Sequence, residues 1–309
     1  MRTRRAIITP SLLATATAAL WILSPGREDS ASPKVETRQP RNIYELVYAF
    51  EHTFSKILTA EQWDLYQAGG PGEIRRTDPE LYDRISKDIR AWTDLWIHHV
   101  RTTIVPIPEK RMNAANRKAE QVDGILRGYF ETRGWPYKTL RAVFLPPQVF
   151  LDERHRENLT SGMFIPFYPD AFFISVDWPV PLELVLMHES LHFNATDSPY
   201  GRSMAEGITE TGARYLVLKH ELLSPYAVRQ EEATYPLERK AVELVLEEMM
   251  KRKSMSRDEA VELFLGSYLT GNQDGMIEIF GAETWKGVVA LSHTRGTWRA
   301  NRIKDLLEN

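Results

Sequence analysis

Two histidines four residues apart, His188 and His192, have the type and spacing best suited to chemistry in this sequence. They lie in an apolar, helix-compatible run with Glu189 directly after the first of them, so the stretch has the pattern H-E-x-x-H. On an α-helix, positions i and i+4 lie one above the other, so both imidazoles can bind one metal ion while Glu189 points at a water beside it. This pattern is typical of zinc hydrolase sites, which need a third protein ligand and keep one position open for water.

The next helical segment contains two carboxylates that could supply the third ligand. Glu206 and Glu210 lie four residues apart within the run Ala205-Glu206-Gly207-Ile208-Thr209-Glu210. Because positions i and i+4 share one face of a helix, both side chains are expected to point the same way. Spacing alone therefore lets either carboxylate reach the metal.

An H-E-x-x-H helix followed by E-G-x-x-E resembles the gluzincin metallopeptidases, and the resemblance covers roughly residues 140 to 220. It implies that His188, His192 and Glu206 bind Zn²⁺ and that Glu189 is the general base. It also implies that Glu210 accepts a hydrogen bond from a zinc-binding histidine. The glycine after Glu206 fits a crowded place where two helices approach the metal together.

The chain departs from the larger gluzincins in two ways, because its second histidine and its glutamate are closer in sequence and Ala205 replaces the usual asparagine. A metzincin is excluded, since Ala195 and Ser198 occupy the positions of that family's glycine and third histidine.

The gluzincin resemblance implies hydrolysis of peptide or protein substrates, with Glu189 moving the proton. The alternative is an exported, zinc-stabilised domain of zincin-like fold that binds a partner without cleaving it.

Peptide hydrolysis also needs a hydrogen-bond donor for the developing oxyanion. Tyr200, Tyr215, Tyr235 and His293 are candidates for this role, and their positions in the sequence do not distinguish them.

Composition excludes other kinds of site. The 309 residues carry a net charge of −3, which gives no electrostatic basis for binding nucleic acid. The chain has no cysteine, so disulfides, thiolate catalysis and cysteine-bound zinc are excluded. Histidine and carboxylate remain as metal ligands.

The amino terminus predicts an extracytoplasmic location. Arg2, Arg4 and Arg5 precede an apolar segment from Ala6 to Leu23, as in a signal peptide. No clear cleavage site follows, and the segment is about long enough to span a bilayer, so residues 1–24 are either a removed signal or a membrane anchor. Residues 25–40 are rich in Pro, Ser and charged residues, which predicts a flexible linker.

The expected fold class is α+β and mostly helical, with a zincin-like core. Apolar residues at helical spacing predict helices over 42–58 and 78–104, separated by a loop at 68–72, and a third helical run ending near Gly134. We therefore expect a helical N-terminal region over 41–134, a zincin catalytic core over 135–220 and a helical C-terminal region over 221–309.

Two strands are predicted just before the H-E-x-x-H helix, at 140–145 and 171–176, from their β-branched and aromatic residues. Alternation along the second strand predicts a sheet with two unlike faces. The gluzincin resemblance would make this strand, or a neighbour, the edge strand that pairs with an extended substrate. Simple packing in the core is the alternative.

Overall fold

The protein is described by a computed structural model that covers residues 40–69, 71–104, 106–150, 162–165, 167–168, 171–176, 180–195, 198–229, 236–293 and 300–308. The predicted signal or anchor segment, and all of the predicted linker except Pro40, lie outside these residues. No helix in these ranges is both long enough and apolar enough to span a membrane.

Helices dominate the described residues. They are α1 (Ile43–Ile57), α2 (Ala60–Gly69), α3 (Pro71–Thr77), α4 (Pro79–His99), α5 (Glu109–Glu131), α6 (Leu182–Asn194), α7 (Arg202–Lys219), α8 (Pro225–Arg229), α9 (Pro236–Lys253), α10 (Arg257–Thr270), α11 (Asp274–Phe280), α12 (Ala282–Ser292) and α13 (Ala300–Glu308). A π-helical turn, Val100–Ile104, follows α4. Three strands, β1 (Arg141–Leu145), β2 (Gly162–Met163) and β3 (Ala171–Ser175), form one sheet. A mostly helical chain with a small mixed sheet agrees with the predicted α+β class.

The chain divides into two compact units. The N-terminal unit comprises the described residues up to Ala115 together with those of Arg141–Trp178, and the C-terminal unit comprises Asn116–Leu140 with the described residues of Pro179–Asn309. The three strands belong to the first unit and α6 belongs to the second. The zincin-like core and the domain boundaries expected from the sequence therefore stay predictions.

The N-terminal unit begins with α1, and local sequence explains where this helix starts. The Asn42 side chain accepts a hydrogen bond from the Glu45 backbone at 2.8 Å, which satisfies one of the free N–H groups at a helix start. The apolar face of α1 then enters a core rich in aromatic rings, where Phe54 lies 4.6 Å from Phe167 and 5.6 Å from Tyr66 between ring centroids. The helix predicted over 42–58 is confirmed.

The loop predicted at 68–72 is wrong for most of its length. Helix α2 runs to Gly69 and α3 starts at Pro71, so only Gly70, which lies outside the described residues, separates them. The sequence signal misleads because proline, although it breaks helix interiors, is favoured at the first position of a helix. Ile74 of α3 is fully buried, which fixes this short helix in the core.

The sheet has the order β1-β3-β2, with β1 parallel and β2 antiparallel to β3. All five residues of β3 are buried. Phe172 packs against Phe164 with ring centroids 4.9 Å apart, and Phe173 packs against Tyr168 at 5.5 Å. β3 itself is therefore a central strand covered on both faces, in agreement with the alternative of simple core packing, and the edge position stays a prediction for a neighbouring strand. In the described sheet, only the neighbours β1 and β2 are edges.

The C-terminal unit surrounds α6 and α7 with other helices. Two glycines let other backbone segments approach α7 closely. A Cβ on Gly201, just before the helix, would lie 2.0 Å from the carbonyl oxygen of Ser292, and a Cβ on Gly207 would lie 2.6 Å from the carbonyl oxygen of Glu238. No side chain fits at either place. The crowding predicted beside Glu206 exists, but the close neighbour of Gly207 is the backbone of α9.

Candidate metal centre

Helix α6 carries both histidines on one face. The ring centroids of His188 and His192 lie 4.7 Å apart, one helical turn from each other. Nearly every other side chain of α6 is buried too, which is typical of a helix that is surrounded by other elements. A buried helix holds its side chains in defined rotamers, so the two rings have a fixed separation.

Helix α7 packs along α6 and brings a carboxylate to both rings. Oε2 of Glu206 lies 3.3 Å from Nε2 of His188 and 3.1 Å from Nε2 of His192. One potential ligand atom from each of the three residues lies within 4.8 Å of the other two, so the group could hold a metal ion. The three ligands predicted from the sequence are thus brought together. Within the described residues, no other group of histidine, aspartate and glutamate meets the same criterion.

The far side of the His188 ring contacts Glu210. Nδ1 of His188 lies 3.1 Å from Oε2 of Glu210, as predicted for the partner of a metal-binding histidine. Nε of Arg214 donates to the other oxygen of this carboxylate at 2.6 Å, and a second guanidinium nitrogen donates to the Val228 carbonyl oxygen of α8 at 2.6 Å. A chain of charged hydrogen bonds therefore fixes the His188 ring with Nε2 directed at Glu206.

The far side of the His192 ring contacts hydroxyl groups instead. Nδ1 of His192 lies 2.8 Å from the Tyr268 hydroxyl of α10 and 3.3 Å from that of Thr209 on α7. Both histidines therefore use Nδ1 for a hydrogen bond and turn Nε2 towards the same carboxylate oxygen. This common orientation fits metal binding through Nε2.

The two histidines differ in their electrostatic environment. Burial alone would lower the pKa of His188, but hydrogen bonds to Glu206 and Glu210 hold it above its ordinary value. Burial lowers the pKa of His192, and a hydrogen bond to Glu206 only partly opposes that shift. A positive charge is therefore stabilised where His188 meets Glu206.

Buried charge in this cluster is unbalanced. Glu189, Glu206 and Glu210 are buried together with Arg214, so with both histidines neutral, as metal binding requires, three carboxylates and one guanidinium leave two formal negative charges. Glu189 lies close enough to raise the pKa of both His188 and His192. Because an uncompensated buried charge is costly, a divalent cation at this position would remove a large penalty. The donor set, its orientation and its charge all fit a metal ion.

The structure does not bring the other proposed donors into this cluster. Tyr200 shares a hydrogen bond with Ser267 at 2.6 Å, Tyr215 donates to Glu262 at 2.7 Å, and Nε2 of His293 lies 2.8 Å from the Pro199 carbonyl oxygen. Tyr235 lies outside the described residues. The role of oxyanion donor therefore stays unassigned among them.

Three residues of the cluster were missed by the sequence analysis. Arg214 lies four residues after Glu210 and Thr209 lies three after Glu206, so helical spacing could have found both. Tyr268 gives no such signal, because it is distant from His192 in sequence and reaches it only through the packing of α10 on α7.

Comparison with protein-family models, with curated proteins and with solved structures gave no match for this chain. The case for a metal centre therefore rests on the geometry and charge of the cluster.

Proposed function

We propose that the protein is a zinc-dependent metallopeptidase that hydrolyses peptide bonds in peptide or protein substrates. The observation that carries the proposal is the convergence of His188, His192 and Glu206, with Glu189 buried beside the first histidine. Two imidazoles and one carboxylate are a common ligand set of catalytic zinc, which leaves one coordination position for water or substrate. The fit to a gluzincin-type site, and the extracytoplasmic location expected from residues 1–24, are parts of the same proposal.

Each residue of the cluster has a role in this proposal. His188, His192 and Glu206 would hold the ion, which when bound supplies Lewis acidity and lowers the pKa of water to about 7. Glu189 accepts the proton of the attacking water and returns it to the leaving amine, and this single carboxylate can do both in turn. Glu210 and Arg214 keep the His188 ring in place.

The decisive experiment compares the wild type with Glu189→Gln, which removes the proton acceptor and leaves the three ligands intact. We expect hydrolysis of a diverse peptide library to fall about 10²- to 10⁴-fold while bound zinc stays the same. Mass spectrometry of the peptides and metal analysis of the purified protein give the two readouts.

A matched control is Glu183→Gln. Glu183 is a buried glutamate on the same helix, but it pairs with Lys118 of α5 at 2.8 Å. This control should keep both zinc and activity. Full activity in Glu189→Gln would contradict the peptidase mechanism.

A second candidate is a zinc-stabilised, non-catalytic binding domain, and the depth of the cluster favours it. The side chains of His188 and Glu206 are only 7 % and 5 % exposed, and that of His192 is 17 % exposed. This candidate predicts no hydrolysis of any library peptide by the wild type. Chelation should then lower the melting temperature equally in the wild type and in Glu189→Gln.

A further inference from the structure

A buried tyrosine from a third helix holds the second histidine of the proposed metal site. The Tyr268 hydroxyl lies 2.8 Å from Nδ1 of His192, closer than the Thr209 hydroxyl at 3.3 Å. Zinc-binding histidines usually donate their other N–H to a carboxylate, a backbone carbonyl or a water. His188 follows this rule through Glu210, whereas in the described structure His192 contacts side-chain hydroxyl groups.

The chemistry of imidazole determines what Tyr268 must do. If Nε2 of His192 gives its lone pair to a metal, the proton of the neutral ring must be on Nδ1. That N–H then needs an acceptor, since a buried donor without one costs about 1–3 kcal/mol. The phenol oxygen of Tyr268 is the nearer acceptor, since a phenol hydroxyl can accept a hydrogen bond as well as donate one.

The packing around Tyr268 keeps this oxygen in place. Tyr268 is 2 % exposed and lies in the last turn of α10, which is capped by Gly271 in the left-handed conformation with φ 72°. The ring of Tyr268 lies 6.5 Å from that of Tyr200 between centroids, and Tyr200→Phe would keep this ring contact. The end of α10 is therefore held by a helix cap and by contact between the two rings.

We infer that Tyr268 is a positioning residue, which fixes the tautomer and orientation of His192 so that Nε2 can bind the metal. The inference rests on the proposed metal site and adds a third helix, α10, to the two that carry the ligands. Metal affinity then depends on one hydroxyl group that makes no contact with the metal.

The test compares Tyr268→Phe with Tyr200→Phe, each of which removes one buried hydroxyl from the same neighbourhood. We expect Tyr268→Phe to weaken Zn²⁺ binding about 10-fold or more, measured by competition with a chelating dye, and Tyr200→Phe to leave it unchanged. The visible spectrum of bound Co²⁺ should change only in Tyr268→Phe, because it reports ligand orientation. A purely structural role would instead affect the melting temperature of both metal-free variants and leave the spectrum unchanged.

The Thr209 hydroxyl is a second, more distant acceptor for the Nδ1 proton of His192. Removing it should show whether the two hydroxyl groups can replace each other in this role. Thr209→Val alone is expected to have little effect, whereas Thr209→Val with Tyr268→Phe should weaken Zn²⁺ binding more than the two single losses combined. Additive losses would indicate that the hydroxyls do not share the Nδ1 proton.

A measurement on the Zn²⁺-loaded wild type is independent of how the variants fold. Long-range ¹H–¹⁵N NMR of the histidine rings should place the His192 proton on Nδ1, and a proton on Nε2 would overturn the inference. Equal Zn²⁺ affinity of wild type, Tyr268→Phe and Tyr200→Phe would overturn the role of Tyr268 but leave the proposed metal site unaffected. Absence of Zn²⁺ binding by the wild type overturns the metal site and the inference with it.

Discussion

In its described part, the N-terminal unit buries no charged side chain and five polar ones, namely Asn42, Thr53, Ser86, Thr93 and Ser175. The described part of the C-terminal unit buries five charged side chains and a histidine: Glu183, Glu189, Glu206, Glu210, Arg214 and His188. Burial of an ion costs several kcal/mol unless partners compensate for lost hydration. The residues that could hold a metal ion, His188, His192 and Glu206, lie in this second unit, where a bound cation would offset part of that cost.

The strongest test of this contrast removes one charge from the cluster at a time. Glu206→Ala should lose zinc at ordinary concentrations, because two histidines alone hold it poorly. Glu210→Ala should still bind zinc supplied in excess, with affinity reduced roughly 10- to 100-fold, because it removes only the partner of His188. Zinc titrations of both variants rank the two carboxylates.

The reverse order of affinities would show that Glu210 is the ligand. Circular dichroism of both metal-free variants serves as the control for folding, since each one changes a buried side chain.

The next test concerns the apolar interior. Phe54 is fully buried against Phe50, Tyr66 and Phe167, so Phe54→Ala should destabilise the N-terminal unit by about 3–5 kcal/mol. Urea unfolding followed by tryptophan fluorescence measures the change. Zinc affinity under native conditions should stay at the wild-type value if the two interiors have separate roles.

Ile57→Ala is the matched control on the same helix, because Ile57 is 48 % exposed. Its effect should be within about 0.5 kcal/mol. A zinc affinity that falls in Phe54→Ala but not in this control would show that the apolar core of the N-terminal unit and the metal cluster do not have separate roles.

The smallest expected effect comes from a charged cluster of the C-terminal unit that is only partly buried. Burial raises the pKa of Glu262, but hydrogen bonds from Lys219, Tyr215 and Arg133 lower it to about 2, from an ordinary value of 4.5. A depressed carboxylate pKa contributes stability above pH 4.5, and that contribution is lost as the pH falls through 2. Glu262→Gln should therefore destabilise the protein by up to about 1 kcal/mol at pH 7 and progressively less below pH 4.5.

Unfolding at pH 7 and at pH 3 measures this difference, with Glu120→Gln, at an exposed position of α5, as the control. A destabilisation of equal size at both pH values would show that packing, and not charge, is responsible.

The features that could be predicted are those determined by residues close together in the sequence. The spacing of His188 and His192, and of Glu206 and Glu210, follows from helix geometry, and both pairs lie on helices that face each other in the structure. The strand at 171–176 was located correctly, but its pattern left an edge role and core packing open, because a central position depends on partner strands from distant segments. Tyr268 illustrates the same limit, since only the packing of α10 brings it to His192.

Each of the two units is built from separated stretches of the chain, so their parts are synthesised at different times. Every segment of the N-terminal unit precedes α6, so this unit is synthesised in full before the helices that complete the C-terminal unit. The C-terminal unit combines the part of α5 from Asn116 onwards with helices as late in the sequence as α13. At about 5–20 residues per second, synthesis from the end of α5 to the end of α13 takes about 9–35 s. The carboxylates on α7 can reach their buried state only after α9 and α10, which pack on that helix, have been synthesised.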